Sequence, residues 1–290
     1  MKYIDITGSI IVAVLLAIGS AFGQRTASLA DNAALRYWAA FAQIQDSAIT
    51  DQEAKELNAA LDGMGPYDTL KYKDLLQKNT LALEIMARAT SLPICDWGLD
   101  YGLGENVPVD YARKALVLGR LNILYVVNLY HSGDKDGAIR ALAAGLRLSH
   151  DVGNGGSLFA ILIAKDLLVT HLVAVGDALR MGQLSVAQRS QLQNAVAALG
   201  DGLDWPTAAK RDLEGLGARY APEPRTSAAL SRIASSYGSF LKDQSKLPIL
   251  TEAINDAPPE LANLIPNPKR VQEQKRELAD RLLQTRALLQ

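Results

Sequence analysis

Apolar residues recur every three or four positions along almost the whole chain after Gln24, and no stretch alternates polar with β-branched residues as a strand would. This pattern predicts an all-α protein. Its longer helices are expected at about 68–90, 110–131, 136–150, 157–180, 206–219, 227–242 and 268–290, with Gly or Pro between them. Most connections are short, which is typical of stacked antiparallel helical hairpins.

Helix starts carry recognisable capping residues. Asp31 is expected to cap a helix that begins NAALRYW, and capping boxes are expected for Thr50 with Glu53 and for Ser185 with Gln188. In each case a side-chain oxygen accepts a hydrogen bond from a backbone N–H group that has no partner within the helix. These residues therefore indicate helix boundaries and not chemistry.

The N-terminus has the order of a signal peptide. Lys2 is followed by an unbroken apolar run at 10–18 and then by small residues at 19–23. Such a run rises only about 14 Å as a helix, half of the roughly 30 Å hydrocarbon core of a bilayer. We expect cleavage before Gln24 and export to the periplasm or the cell exterior. The alternative is an inner-membrane tether formed by residues 6–22.

Composition argues against several classes of protein. The chain has 30 basic and 31 acidic residues, so no global field favours nucleic acid. One cysteine rules out an intramolecular disulfide, and with only three histidines it leaves few ligands for zinc or haem. We therefore expect no metal, no cofactor and no nucleic-acid partner, and membrane contact only through an uncleaved N-terminal segment.

The helix expected at 157–180 is apolar enough to suggest a membrane span. Lys165 and Asp166 lie near its middle, however, where each charge would cost about 2.5–3.5 kcal/mol. We interpret it as a buried helix. Asp166, Thr170 and Asp177 fall within about 40° of one another on its surface and form one polar stripe. The stripe is either a solvated edge or the wall of a ligand groove, and its members are candidate binding residues.

The connection at 91–109, SLPICDWGLDYGLGENVPV, is long for a compact domain and is the first place to look for a site. Its Cys95, Asp96 and Asp100 are candidate catalytic groups, and Trp97 is a candidate binding residue. A catalytic cysteine would need a neighbouring base, because a free thiol is mostly protonated at neutral pH. The alternatives are a half-buried structural cysteine, an aromatic plug over the helix ends at Trp97, and turn formation by the aspartates.

Residues 133–151, GDKDGAIRALAAGLRLSHD, resemble the second helix of a tetratricopeptide repeat. The matching positions are Gly133, Asp134, Ala138, Ile139, Leu146 and Leu148, with Gly145 at the small-residue site. Bulky and small residues form two separate stripes, so this helix is suited to packing on two sides. A second copy at a spacing of 34 residues is absent, so the resemblance implies TPR-like packing without a repeat array.

A wider resemblance covers residues 31–180. The segments NAALRYW, CDWGLDYG, RKALVLGRLNILY and GDKDGAIRALAAGLRLSHDVG together resemble a group of uncharacterised exported bacterial all-helical proteins. This resemblance implies fold and export, and it assigns no activity.

The chain is expected to have three parts: a signal or anchor at 1–23, a helical-hairpin domain at 31–200 and a C-terminal helical extension at 201–290. Prolines cluster in the extension before the last helix. One stripe of that helix is expected to dock on the body or to pair with another subunit, and its members are Val271, Leu278, Leu282 and Leu289.

The function favoured by the sequence is that of an exported or envelope-associated interaction or scaffold protein. Its partner is expected to be another protein, and an enzymatic activity is disfavoured. Two alternatives stay open: an exported enzyme with its site in the 91–109 loop, and a carrier of an apolar ligand with a cavity along the 157–180 helix. The step from fold to function rests on analogy.

Overall fold

The computed structural model describes residues 31–45, 70–101, 107–181, 184–219 and 223–290, with the single positions 52, 55, 68 and 103. The signal or anchor segment and the capping box of Thr50 and Glu53 lie outside the described residues. The described part of the chain folds into α-helices and contains no strand. The prediction of an all-α protein is confirmed.

Eleven α-helices lie in the described ranges. They are α1 (Ala33–Ala42), α2 (Lys73–Ala89), α3 (Asp110–His131), α4 (Lys135–Gly153), α5 (Leu158–Arg180), α6 (Val186–Ala197), α7 (Trp205–Arg219), α8 (Pro224–Lys242), α9 (Leu247–Asn255), α10 (Pro259–Ala262) and α11 (Pro268–Leu289), with a 3-10 turn at Gln244–Lys246.

One continuous hydrophobic core joins these helices. At its centre α3 packs against α4, and α5 packs against both. Around them, α1 and α2 lie against α3, while α6 contacts α4. On a further side α7 contacts α5 and packs extensively on α8, which packs on α9. The central helices therefore contact α1, α2, α6 and α7 directly, while α8 and α9 join the core through α7.

The N-terminal cap of α1 is Asn32 and not Asp31, so that sequence prediction is wrong by one residue. The Asn32 amide accepts from the N–H of Ala34 at 3.1 Å and also exchanges two hydrogen bonds with the backbone of Asp96. A carboxylate could accept but could not donate to the Asp96 carbonyl, which explains the preference. The capping box of Ser185 and Gln188 at α6 is confirmed.

By length and composition, α5 is the one helix in the described ranges that could cross a membrane, yet 67% of its most apolar window is buried inside the molecule. The Lys165 side chain in its middle is buried, and its ammonium lies 2.7 Å from Glu277 of α11 and 3.4 Å from Asp166. The central charge of α5 therefore contributes to its contact with α11.

The last helix packs on the body of the same chain. Its four predicted stripe residues are all buried, and α11 contacts both α5 and α6. The Arg189 guanidinium of α6 donates to the carbonyl of Leu288 at 3.2 Å, near the C-terminal end of α11. Docking on the body, and not pairing with a second subunit, accounts for the stripe.

A buried polar cluster lies where α3, α4 and α5 meet. His171 is completely buried, and its Nδ1 lies 2.7 Å from the carbonyl oxygen of Leu167. That contact assigns the ring proton to Nδ1, so Nε2 can accept from the Asn122 amide at 3.2 Å. Gly145 of α4 leaves the space for both side chains, because a Cβ atom there would overlap them.

We expect the stability contribution of His171 to fall in mild acid. Burial lowers its pKa to about 4, although the hydrogen bond to Leu167 raises it in part. Between about pH 6.5 and pH 4 the unfolded chain therefore binds more protons than the folded chain. Stability from this group is present above pH 6.5 and is lost as the pH falls through that range.

The measurement compares urea unfolding of the wild type and His171→Gln at pH 7 and pH 5. The difference in unfolding free energy between them should shrink by about 2 kcal/mol at pH 5. The comparison with the variant is needed because Asp212 also titrates in this range. Burial raises the pKa of Asp212 to about 6, so its contribution to stability is lost as the pH rises from about 4 to 6. An unchanged difference at the two pH values would contradict the prediction.

Candidate functional site at the 91–109 loop

The start of the 91–109 loop covers the C-terminal end of α4. Trp97 Nε1 donates to the carbonyl of Asp151 at 2.8 Å, and Cys95 Sγ lies 4.0 Å from the same oxygen. The Trp97 ring stacks on Tyr111 at a centroid distance of 4.3 Å and on Tyr37 at 5.7 Å. Because the last carbonyls of a helix have no partner within it, these contacts satisfy the end of α4.

Asp151 is fully buried beneath this loop, in the last turn of α4. Its Oδ2 accepts from the hydroxyl of Tyr37 at 2.8 Å, and Arg147 Nε lies 2.9 Å from Oδ1 and 3.0 Å from Oδ2. Burial raises the pKa of Asp151, and Arg147 and Tyr37 oppose that rise. The carboxylate is therefore held by an ion pair within α4 and by one buried hydrogen bond that joins α1 to α4.

The sequence candidates Cys95, Asp96 and Asp100 have three different surroundings. Burial raises the pKa of the Cys95 thiol far above its usual range, and the charge of Asp151 raises it further. This environment favours the thiol over a nucleophilic thiolate. The Asp96 carboxylate accepts from the N–H of Gly98 at 2.9 Å in a tight turn, whereas Asp100 is exposed.

The later part of the loop borders a cleft of about 280 Å³. Tyr101 and Val109 of the loop face Ser157 and Phe159 at the start of α5, and α7 closes another side with Arg211, Asp212, Leu213 and Leu216. Leu264 and Pro266, just before α11, complete the wall. Concave, mostly apolar clefts with a few polar groups are the usual form of a binding site.

Two polar side chains of α7 lie in the wall of this cleft. The Asp212 carboxylate accepts from the N–H of Leu158 at 2.8 Å, at the first turn of α5. Burial raises the pKa of Asp212 to about 6, and that hydrogen bond opposes the rise. The guanidinium carbon of Arg211 lies 4.7 Å from the ring centroid of Tyr101, whose hydroxyl donates to the carbonyl of Gly155.

Cations cover three aromatic rings, of which Phe159 and Tyr101 line the cleft. Arg113 lies 5.5 Å from the Phe159 centroid, and the next residue of α3, Lys114, lies 5.4 Å from the Trp38 ring. Phe159 is 39% exposed and Trp38 is 37% exposed. With Arg211 over Tyr101, these pairs form what we call the aromatic–cationic surface: Trp38, Lys114, Arg113, Phe159, Tyr101 and Arg211.

The predicted polar stripe of α5 does not form one surface. Asp166 is exposed, Thr170 donates to the carbonyl of Asp166 at 2.8 Å, and Asp177 is buried in an ion pair with Arg180. Thr170 lines a groove between α5 and α11, whereas Asp177 lines a small pocket against α3 and α4. Of the three candidates, Thr170 alone borders the larger of these two spaces.

Sequence reasoning missed Asp151, Asp212 and the cation–aromatic pairs. The sequence held one signal for Asp151, because an acidic residue in the last turn of a helix interacts unfavourably with the helix dipole unless tertiary contacts compensate it.

Within the described ranges, no group of three or more His, Cys, Asp or Glu residues is arranged to hold a metal ion. No protein-family model, no curated protein and no solved structure matches the chain.

Proposed function

We propose that this chain is a non-catalytic helical interaction protein of the cell envelope or exported space. Its partner is a protein segment that enters the cleft and lies across the aromatic–cationic surface. The observation that carries the proposal is that two aromatic rings of one apolar cleft, Phe159 and Tyr101, are each covered by an arginine, while the next residue of α3 after Arg113 covers a third exposed ring, Trp38. Aromatic residues and arginine dominate the energetics of protein interfaces, which supports this interpretation.

The chemistry of the surface specifies the kind of segment it would bind. Arg113, Lys114 and Arg211 present three positive charges. Among the described residues of the cleft wall, the one acidic side chain is Asp212, and its carboxylate accepts a hydrogen bond from the backbone of α5. The apolar walls favour a bulky apolar side chain between acidic neighbours. An acidic segment with an apolar or aromatic anchor is therefore the expected partner.

The proposal includes two features that first arose from the sequence. Export by the N-terminal segment is supported by its order of charged, apolar and small residues. TPR-like stacking is supported by the packing of α3 on α4 across the turn at 132–134 and by the two-sided burial of α4. Helical stacks of this kind commonly present concave surfaces to partner proteins.

The test places a photo-crosslinking amino acid at position 159 of the full chain, expressed in its own cells. We expect crosslinks there to one partner segment rich in Asp, Glu and apolar residues, identified by mass spectrometry. The matched control carries the crosslinker at Val186, an exposed apolar residue of α6 outside the cleft.

Reversing the charge of Arg113 tests whether the crosslink depends on the aromatic–cationic surface. Arg113→Glu should reduce the crosslink at 159 at least about fivefold, because loss of steering and a repulsive charge both oppose an acidic partner. Arg140→Glu, another exposed arginine on a helix, should leave it unchanged. Equal crosslinking from positions 159 and 186, or insensitivity to Arg113→Glu, would overturn the proposal.

A further inference from the structure

The groove between α5 and α11 has a volume of about 410 Å³. Its apolar lining residues are Val169, Leu172, Val173 and Leu288. Arg180 and Arg281 also line the groove, and no carboxylate belongs to the described lining. The lining therefore combines apolar side chains with the positive charge of Arg281, since Arg180 is paired with Asp177. The volume of the groove lies in the range of small-molecule sites, roughly 300–1,000 Å³.

The Arg281 guanidinium can bind an anion because the nearest glutamate on its helix is paired elsewhere. Glu277 precedes it by four residues, the spacing at which a glutamate normally pairs with a following cation on a helix. The Glu277 carboxylate instead lies 2.7 Å from the buried Lys165 ammonium. The neighbours of Arg281 one turn further along, Gln284 and Thr285, are uncharged, and no carboxylate of the described residues pairs with it.

The second arginine is held at the edge of the groove. Arg180, at the end of α5, forms an ion pair with the buried Asp177, which fixes the direction of its side chain. Gly176, one turn earlier, forms part of the floor, and a Cβ atom added there would meet nothing closer than Arg180 Nη1 at 3.7 Å and Leu288 Cδ1 at 3.9 Å. The absence of a side chain at this position keeps the groove open.

We propose that this groove binds a single-chain fatty carboxylate, with the carboxylate on Arg281 and the acyl chain along the apolar lining residues. A guanidinium matches a carboxylate with two parallel hydrogen bonds, which favours this headgroup. The site is separate from the cleft of the proposed function. Failure of one proposal therefore leaves the other intact.

The test measures binding of dodecanoate to the full chain by titration calorimetry, below the micelle concentration. Saturable binding with a stoichiometry of one is expected. Dodecanol and dodecyltrimethylammonium should bind at least about tenfold more weakly, because dodecanol has no negative charge and cannot form two parallel hydrogen bonds, and the ammonium group is repelled by the guanidinium. Acetate should not bind detectably, since it lacks the chain. Equal affinity for dodecanol, or no binding of dodecanoate, would overturn the proposal.

Two variants locate the site. Arg281→Gln should weaken dodecanoate binding about tenfold, whereas Arg88→Gln, an exposed arginine of α2, should not. Gly176→Leu should abolish binding by filling the floor, while Gly217→Leu, another helical glycine with space around it, should bind as the wild type does. Wild-type affinity in Arg281→Gln would refute the assignment even if Gly176→Leu failed to fold.

Discussion

Replacing Asp151 by alanine is expected to lower the free energy of unfolding by about 4 kcal/mol, because it breaks a buried ion pair and leaves a buried hydroxyl without an acceptor. The hydroxyl belongs to Tyr37, which is completely buried, and the cation is Arg147. Urea denaturation followed by circular dichroism measures the change. Asp136→Ala, an exposed acidic residue at the other end of the same helix, should cost less than about 1 kcal/mol.

A double-mutant cycle separates the parts of this network. Tyr37→Phe removes only the hydroxyl and should cost about 1 kcal/mol. In the Tyr37→Phe background, Asp151→Ala should cost at least about 1 kcal/mol less than in the wild type, since no hydroxyl is then left unpaired. Additive effects of the two substitutions would show that the observed 2.8 Å contact contributes nothing to stability.

The same network explains why the 91–109 loop has a defined structure at its start. Trp97 donates to the backbone carbonyl of Asp151, and Asn32, which precedes Tyr37 on α1, holds the backbone of Asp96. The loop is thereby attached to the C-terminal end of α4 through Trp97 and to the N-terminal end of α1 through Asp96. Its later residue Tyr101 can then reach the cleft and the carbonyl of Gly155.

Helix positions were largely predictable from the sequence because they depend on local periodicity. The expected segment at 110–131 has the same bounds as α3, and the expected 157–180 begins one residue before α5. The two short helices α9 and α10 were missed. The sequence interpretation treats proline as a break, yet α8, α9, α10 and α11 all carry proline in their first two positions, where its missing N–H costs nothing.

The candidate site was predictable only as a region. The length and composition of the 91–109 loop indicated where to look, but its reactive-looking residues make structural contacts whose partners are distant in sequence. The Tyr37 hydroxyl and the Asp151 carboxylate are 114 positions apart, and Leu158 and Asp212 are 54 apart. Local patterns cannot specify such pairs, because helix packing decides which faces meet.

Gly145→Ala is expected to lower the free energy of unfolding by about 3 kcal/mol, even though alanine is the better helix former. The added Cβ atom would overlap the His171 ring and the Asn122 amide. Neither group can move aside easily, because His171 is completely enclosed and bonded to Leu167, and the Asn122 amide also donates to the carbonyl of Ala141 at 3.0 Å. The overlap must therefore disrupt hydrogen bonds in the core.

A glycine-to-alanine substitution on the next helix, α5, should instead raise the free energy of unfolding. Gly176→Ala adds a Cβ atom with no neighbour closer than 3.7 Å, so the gain in helix propensity, about 0.5–1 kcal/mol, should appear as added stability. Urea unfolding of both variants under identical conditions makes the comparison. If Gly145→Ala were as stable as the wild type, the close contact of α3, α4 and α5 at the buried histidine would be refuted. If Gly145→Ala alone is destabilised, the small residue that resembles the tetratricopeptide position is required by the His171 imidazole and the Asn122 amide and not by general helix packing.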